Sequence, residues 1–252
     1  MTILNNFKKY FQKKDYTFEV MTAVGGVHDY GNVDLAKKLI PQWFKDLPSS
    51  IATEFLYPQN HTWKDHKMST AKYCPAFQEI YTKGIIITSW CDMKFAIHPD
   101  GQVEMMTAIQ HNREGGSHHM YHQRAGWMKN MTHYKIHSPY WFKTPSYRRF
   151  LFSGAYQHNE KLINNNVYVV TGVIDYFTQH ASEINLLFPI KDKTYFVEFN
   201  HGDPLIHLLP LDENPIKIKK TLISLEEESR YRTAHPLFYG NPKLYKAKVS
   251  NK

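Results

Sequence analysis

The chain predicts a mainly β fold of the α+β class: one antiparallel, sandwich-like core with a few short helices at its margin. Three observations carry that prediction. First, the stretch 168–210 holds three dense runs, YVVTGVIDYF, SEINLLFPI and TYFVEFNHGDPLIHLLP, crowded with β-branched and aromatic residues. A polar bend at 178–181 and a charged turn at 191–193 separate them, Gly172 and Gly202 punctuate them, and Pro204 and Pro210 restrict pairing where they sit. Second, His98-Pro99-Asp100-Gly101 lies between two apolar stretches, 94–97 and 102–108; its proline presets φ and its glycine admits positive φ, which marks a hairpin. Third, 85–90 is an apolar run of strand length.

The composition fits a packed domain. Of 252 residues, 42% are hydrophobic and 15% aromatic, enough to bury a sizeable core in a single domain. We divide it into a helical and loop elaboration at 1–72, a β core at 73–211 and a charged arm at 212–252. Formal charge is +8 and the sequence pI about 9.2, which suits an anionic partner: a nucleotide or other small anion, a nucleic acid or an acidic protein surface. A lysine-coated surface that serves only solubility gives the same charge. Cys74 and Cys91 make neither a disulfide framework nor a CxxC knuckle, and a reducing compartment, the cytoplasm of a host cell, fits them. The N-terminus has no apolar leader and no run approaches the ~20 residues needed to span a bilayer, so no membrane role is expected. The composition is equally compatible with a monomer and a homo-oligomer.

Taken in order, Ile3, Leu4, Phe7, Tyr10 and Phe11 fall at helical spacing opposite four lysines, a basic amphipathic helix that packs on its own domain or on a partner. Tyr16, Phe18 and Val20 alternate as a strand closed by Gly25-Gly26. A helix starts at Asp34 and is interrupted at Pro41, after which Trp43, Phe44 and Leu47 anchor the next segment to the core. Residues 48–72 lack periodicity and read as loop. Pro75 opens a helix that Gly84 stops. Residues 134–142 form a strand interrupted by Ser138-Pro139; a turn at 143–147 leads to another strand at 148–152, and 158–166 is a polar bend. Residues 224–231 have the pattern of a short helix.

The stretch 110–133 departs from the rest, being rich in histidine, glycine and methionine, and reads as a long loop of the kind that carries function. Within it His118, His119 and His122 are close enough to hold a divalent metal through neutral imidazoles, with His111, His133 or Glu114 completing the set. The alternative is a polar loop whose histidines titrate in water.

Two resemblances bear on function. Gly172-Val173-Ile174-Asp175 followed by Gly202-Asp203-Pro204-Leu205-Ile206 resembles the paired turns of the dUTPase and dCTP deaminase superfamily, a β-clip fold. That resemblance implies a nucleotide pyrophosphatase in which Asp175 is the water-activating base, Gly172 permits close nucleotide approach, Tyr176 and Asp203 lie at the ligand, and Ser146, Arg148 and Arg149 contact phosphate. Thr178 stands where that family has an aromatic residue. Asp175 and Asp203 are equally suited to capping turns.

More broadly, the order KLIPQWFKDLP, KYCPAFQEIYTKGIIITSWCD, YKIHSPYWFKTPSYRRFLF, VTGVIDYF and FNHGDPLIHLLPL, from Lys38 to Leu211, resembles a family of small proteins encoded by phages of marine and cyanobacterial hosts. It implies viral origin and a mostly β fold and brings no catalytic residues. Tyr134, Trp141, Tyr147, Arg148, Arg149 and Tyr156 also allow nucleic-acid stacking. Because aromatic loops and a basic tail suffice for recognition, the leading expectation is a phage-encoded binding protein, with pyrophosphatase and accessory component of the phage particle as alternatives.

Overall fold

The computed structural model of the chain describes residues 15–52, 67–107, 115–118 and 129–239. In β1 (Tyr16–Thr22), Tyr16, Phe18 and Val20 are buried as their alternation predicts. Gly25-Gly26 does not close this strand but opens a short helix, α1 (Gly25–Tyr30). The helix expected from Asp34 is instead a strand, β2 (Val33–Leu35), followed by a single 3-10 turn at Ala36–Lys38. Strand β2 pairs with an apolar strand, and that pairing outweighs the helical spacing. Past Pro41 the chain turns helical as α2 (Gln42–Asp46), with the Pro41 carbonyl accepting from the Phe44 and Lys45 amides.

Within the stretch read as loop, β3 (Ser50–Ala52) and β4 (Lys67–Ser69) pair antiparallel. β4 is exposed throughout, so no buried face imposed a period on its residues. Helix α3 (Pro75–Thr82) begins at its proline and stops at Gly84, whose φ is +90°. Then come β5 (Ile85–Thr88), the hairpin β6 (Met93–Ile97) and β7 (Val103–Thr107), and β8 (Gly116–His118). The hairpin turn is closed by hydrogen bonds from the His98 amide to the Gln102 carbonyl and from the Gly101 amide to the His98 carbonyl.

β9 (Met131–Lys143) is continuous, not interrupted at Ser138-Pro139. Proline lacks the amide a ladder needs, and the partner strand β13 (Ala181–Pro189) shifts register between Ala181 and Glu183, opposite the proline. A bulge in β9 at that point lets the strand pass without an unmet hydrogen bond. Between these two lie β10 (Arg149–Gly154), α4 (Glu160–Asn164), β11 (Tyr168–Val169) and β12 (Gly172–Asp175). The polar bend is thus a helix, capped by Asn159, whose side-chain oxygen accepts from the Lys161 amide. The chain continues as β14 (Tyr195–Phe199), β15 (Pro204–Pro210), β16 (Ile216–Leu222) and α5 (Leu225–Tyr239), a longer helix than the pattern suggested. Ser224 and Glu227 cap its start reciprocally.

The largest sheet runs β11-β13-β9-β1-β16, with β8 on the same edge of β9 as β1. A second runs β12-β10-β15-β5-β2 and a third β14-β6-β7. All described pairings are antiparallel except β1 with β16. Phe18 of β1 lies 5.4 Å, ring centre to ring centre, from each of Phe142, Phe150 and Tyr176, which locks the first sheet to the second. Phe95 of β6 meets Tyr134, Phe188 and Phe199 and ties in the third. The fold is therefore mainly β with short helices, and one hydrophobic core serves all three sheets. Among the described residues no helix is long and apolar enough to cross a membrane.

Candidate functional site

Asp175 and Asp203 do not share a site. Asp175 stands across from Arg149 at one end of β10, whereas Asp203 precedes the strand that meets Gly154 at the other end. Five residue steps at ~3.4 Å put about 17 Å of sheet between the two ends. Asp175 is engaged as a turn cap: one carboxylate oxygen accepts from the Phe177 and Thr178 amides, both at 3.0 Å, and the other from the Thr178 hydroxyl at 2.6 Å. Thr178, standing where the pyrophosphatase resemblance has an aromatic, is what completes that cap. Gly172 is not a tight bend but an exposed strand residue with open space where a Cβ would sit. Tyr176 faces the core, fully buried, its hydroxyl 3.0 Å from that of Ser182.

The phosphate-contact candidates stay near the Asp175 end of β10, with Arg149 in register with Asp175. Arg148 bonds Asp212 at 3.2 Å and lies over the Tyr16 ring at 4.8 Å. Burial alone would raise the Asp212 carboxyl, but the Asn214 amides and the Arg148 charge outweigh it and hold the group below its usual range. Ser146 and Arg149 are exposed. His118 spends its Nε2 accepting from the Val103 amide at 3.1 Å. His119, His122, His111 and Glu114 lie outside the described residues, as do the N-terminal amphipathic segment and the tail from 240. Among the described residues no group of three or more His, Cys, Asp or Glu side chains could hold a metal ion.

A sizeable concavity among the described residues lies elsewhere, where α2, α3, the entry to α4 and the start of β15 converge. It is a cleft of about 710 Å³. Its walls are aromatic: Trp43 of α2, with Phe77 and Tyr81 one helical turn apart on α3. Tyr81 is their common partner, 5.8 Å from Trp43, 6.3 Å and nearly parallel to Phe77, and 4.2 Å from Phe44. Phe44 anchors α2 in the core as expected, but Trp43 remains 53% exposed and Phe77 40%. Large apolar rings left open to water beside a cleft mark a recognition surface.

His158 lies at the floor. Its backbone amide bonds the Ala155 carbonyl in the turn before α4, and its ring sits 5.3 Å from both Tyr81 and His207. The residue is only 8% exposed, and neither ring nitrogen has a hydrogen-bond partner. Burial, reinforced by neighbouring His207 and opposed by the Tyr81 backbone, pulls its pKa down to about 4, so the ring is neutral at physiological pH. A neutral imidazole offers one donor and one acceptor; the Tyr81 backbone lies near the ring, but neither nitrogen completes a well-formed hydrogen bond. Unpaired buried polar groups are rare in folded proteins.

The rim is ordered and electrically balanced. Lys161 bonds Asp203 at 2.6 Å; Asp203 is held by the turn at Gly202, whose φ is +87°, and accepts from the Asn200 amide. Asn159 is consumed by structure, capping α4 and donating to the Pro204 carbonyl at 2.8 Å. Of the residues singled out from sequence, Asp203 and the stacking candidate Tyr156 line this cleft, as does Trp43, which was expected to anchor its segment to the core. The sequence held one usable signal for the rest, the Asn159 cap opening a helix inside what looked like a bend. No family model matches the chain, and no match was found among curated proteins or solved structures.

Proposed function

We propose that this is a ligand-binding protein whose site is the aromatic cleft, and that its ligand is a nucleoside or nucleotide held by its base. The observation that carries the reading is the aromatic slot itself: Trp43 and Phe77, large rings left open to water, stand over a floor that holds the buried, neutral His158 ring. A nucleobase supplies what such a slot lacks, a flat face for Trp43 and Phe77. The paired Lys161 and Asp203 leave no excess positive charge at the rim, so the cleft reads the base, and the chain's basic surface adds attraction for any phosphate. The resemblance to phage-encoded proteins supports a role in an infected cell.

Titration calorimetry with adenosine, guanosine, cytidine, uridine and thymidine, free and as monophosphates, tests this. At least one base binds, Trp43→Ala and His158→Leu each weaken it about tenfold or more, consistent with ~1–3 kcal/mol for one stacked base, and Asp175→Asn leaves it unchanged. Absence of heat with every nucleoside at millimolar concentration overturns the reading.

A further inference from the structure

On the face of the largest sheet opposite the core, three adjacent strands bring together a serine, a histidine and a glutamate that no motif in the sequence announces. Ser117 of β8 stands across from Lys135 of β9, and Glu183 of β13 stands across from His137 of the same β9. Residues in register on neighbouring strands share a face. Ile136 and Tyr134, on the other face of β9, are buried in the core. Ser117 Oγ lies 3.3 Å from His137 Nε2, and His137 Nδ1 lies 2.6 Å from Glu183 Oε2. The His137 and Glu183 side chains retain 16% and 14% exposure, sheltered yet open to approach. Gly116 makes the arrangement possible: a Cβ there would come within 2.4 Å of the Tyr134 ring, so only glycine lets β8 lie close enough to β9 to set Ser117 beside His137.

We infer that Ser117, His137 and Glu183 form a nucleophilic centre that hydrolyses carboxylic esters, independent of the aromatic cleft. The Glu183 carboxylate accepts from Nδ1–H and so fixes the tautomer in which Nε2 accepts from the serine hydroxyl. As Ser117 Oγ attacks the ester carbonyl carbon, its proton passes to Nε2 and the carbonyl π electrons move onto oxygen. Collapse of that tetrahedral oxyanion breaks the bond to the alkoxide, which leaves with the Nε2 proton as an alcohol. Water then repeats the sequence on the acyl-serine, returning a carboxylic acid and free Ser117. Lys135, across from Ser117 on the same face, supplies positive charge beside the developing oxyanion. Serine and histidine are the catalytic residues; Glu183 is a positioning residue.

The test uses the full chain with a fluorophosphonate probe and, in parallel, p-nitrophenyl acetate. Intact-mass and peptide mass spectrometry show one adduct, on Ser117, and turnover of the ester. Ser117→Ala abolishes both, and His137→Gln lowers both by about 100-fold or more, while melting curves show each variant folded. Glu183→Gln lowers kcat at similar KM, and Glu183→Asp recovers part of it, a split that a merely structural glutamate does not produce. Labelling is indifferent to added nucleosides, so it stands or falls apart from the cleft. An unlabelled, folded wild-type protein, or an adduct that persists in Ser117→Ala, overturns the inference.

Discussion

His158 and His207 are buried side by side, and that has a consequence for stability. Both are pulled below the ordinary 6.5, chiefly by burial, His158 to about 4. In the unfolded chain they titrate near 6.5, so between about pH 6.5 and 4 the unfolded state binds more protons than the folded one. Stability is therefore constant above that window with respect to these groups and falls as pH drops through it, by roughly 3 kcal/mol for His158 alone. Urea midpoints measured from pH 7.5 to 4 will decline for the wild type and decline less for His158→Leu; a wild-type profile flat across the window would contradict the buried neutral ring. Tyr176 makes a contrasting case at the same scale. Its ring packs on Phe18, Phe142 and Phe150 and its hydroxyl meets Ser182, so Tyr176→Phe costs about 1 kcal/mol and leaves ligand affinity unchanged. A loss of nucleoside binding with stability intact would return Tyr176 to the site.

Short helices, not strands, position the candidate cleft, and their ends are where local chemistry matters. Asn159 both caps α4 and ties it to Pro204 at the head of β15, next to His158 in sequence. Asn159→Ala is expected to cost about 1 kcal/mol by loss of the cap and, by loosening the turn that holds His158, to weaken nucleoside binding as well. Denaturation and calorimetry on that one variant check both effects. The strands teach a different lesson. The β6–β7 hairpin was legible because its turn residues, Pro99 and Gly101, carry their own geometry. The continuity of β9 was not, because Pro139 is tolerated only through a bulge in β9 itself, where residues 138–140 stand opposite the single Ser182 of β13, more than 40 residues later in the chain. Helix α4 was hidden for a similar reason: five residues with one buried side chain, Leu162, make too short an apolar stripe to declare a period.

Across the whole molecule a single core joins three sheets, and Phe18 is at the junction of two of them. Phe18→Ala should cost about 3–5 kcal/mol and lower the cooperativity of unfolding, measurable as a shift in denaturation midpoint together with a changed slope. The sequence by itself determined the class of fold, since dense β-branched and aromatic runs bounded by turn residues leave few other ways to bury so much apolar surface. It also determined the hairpin, the proline-started helix and the strand content of 168–210. The grouping of side chains into sites was decided only by the tertiary structure. Trp43, Tyr81, His158 and Asp203 come from four separate segments, and Ser117, His137 and Glu183 from three. Strand order and register create those neighbourhoods, and they depend on pairings between distant parts of the chain that no local pattern encodes.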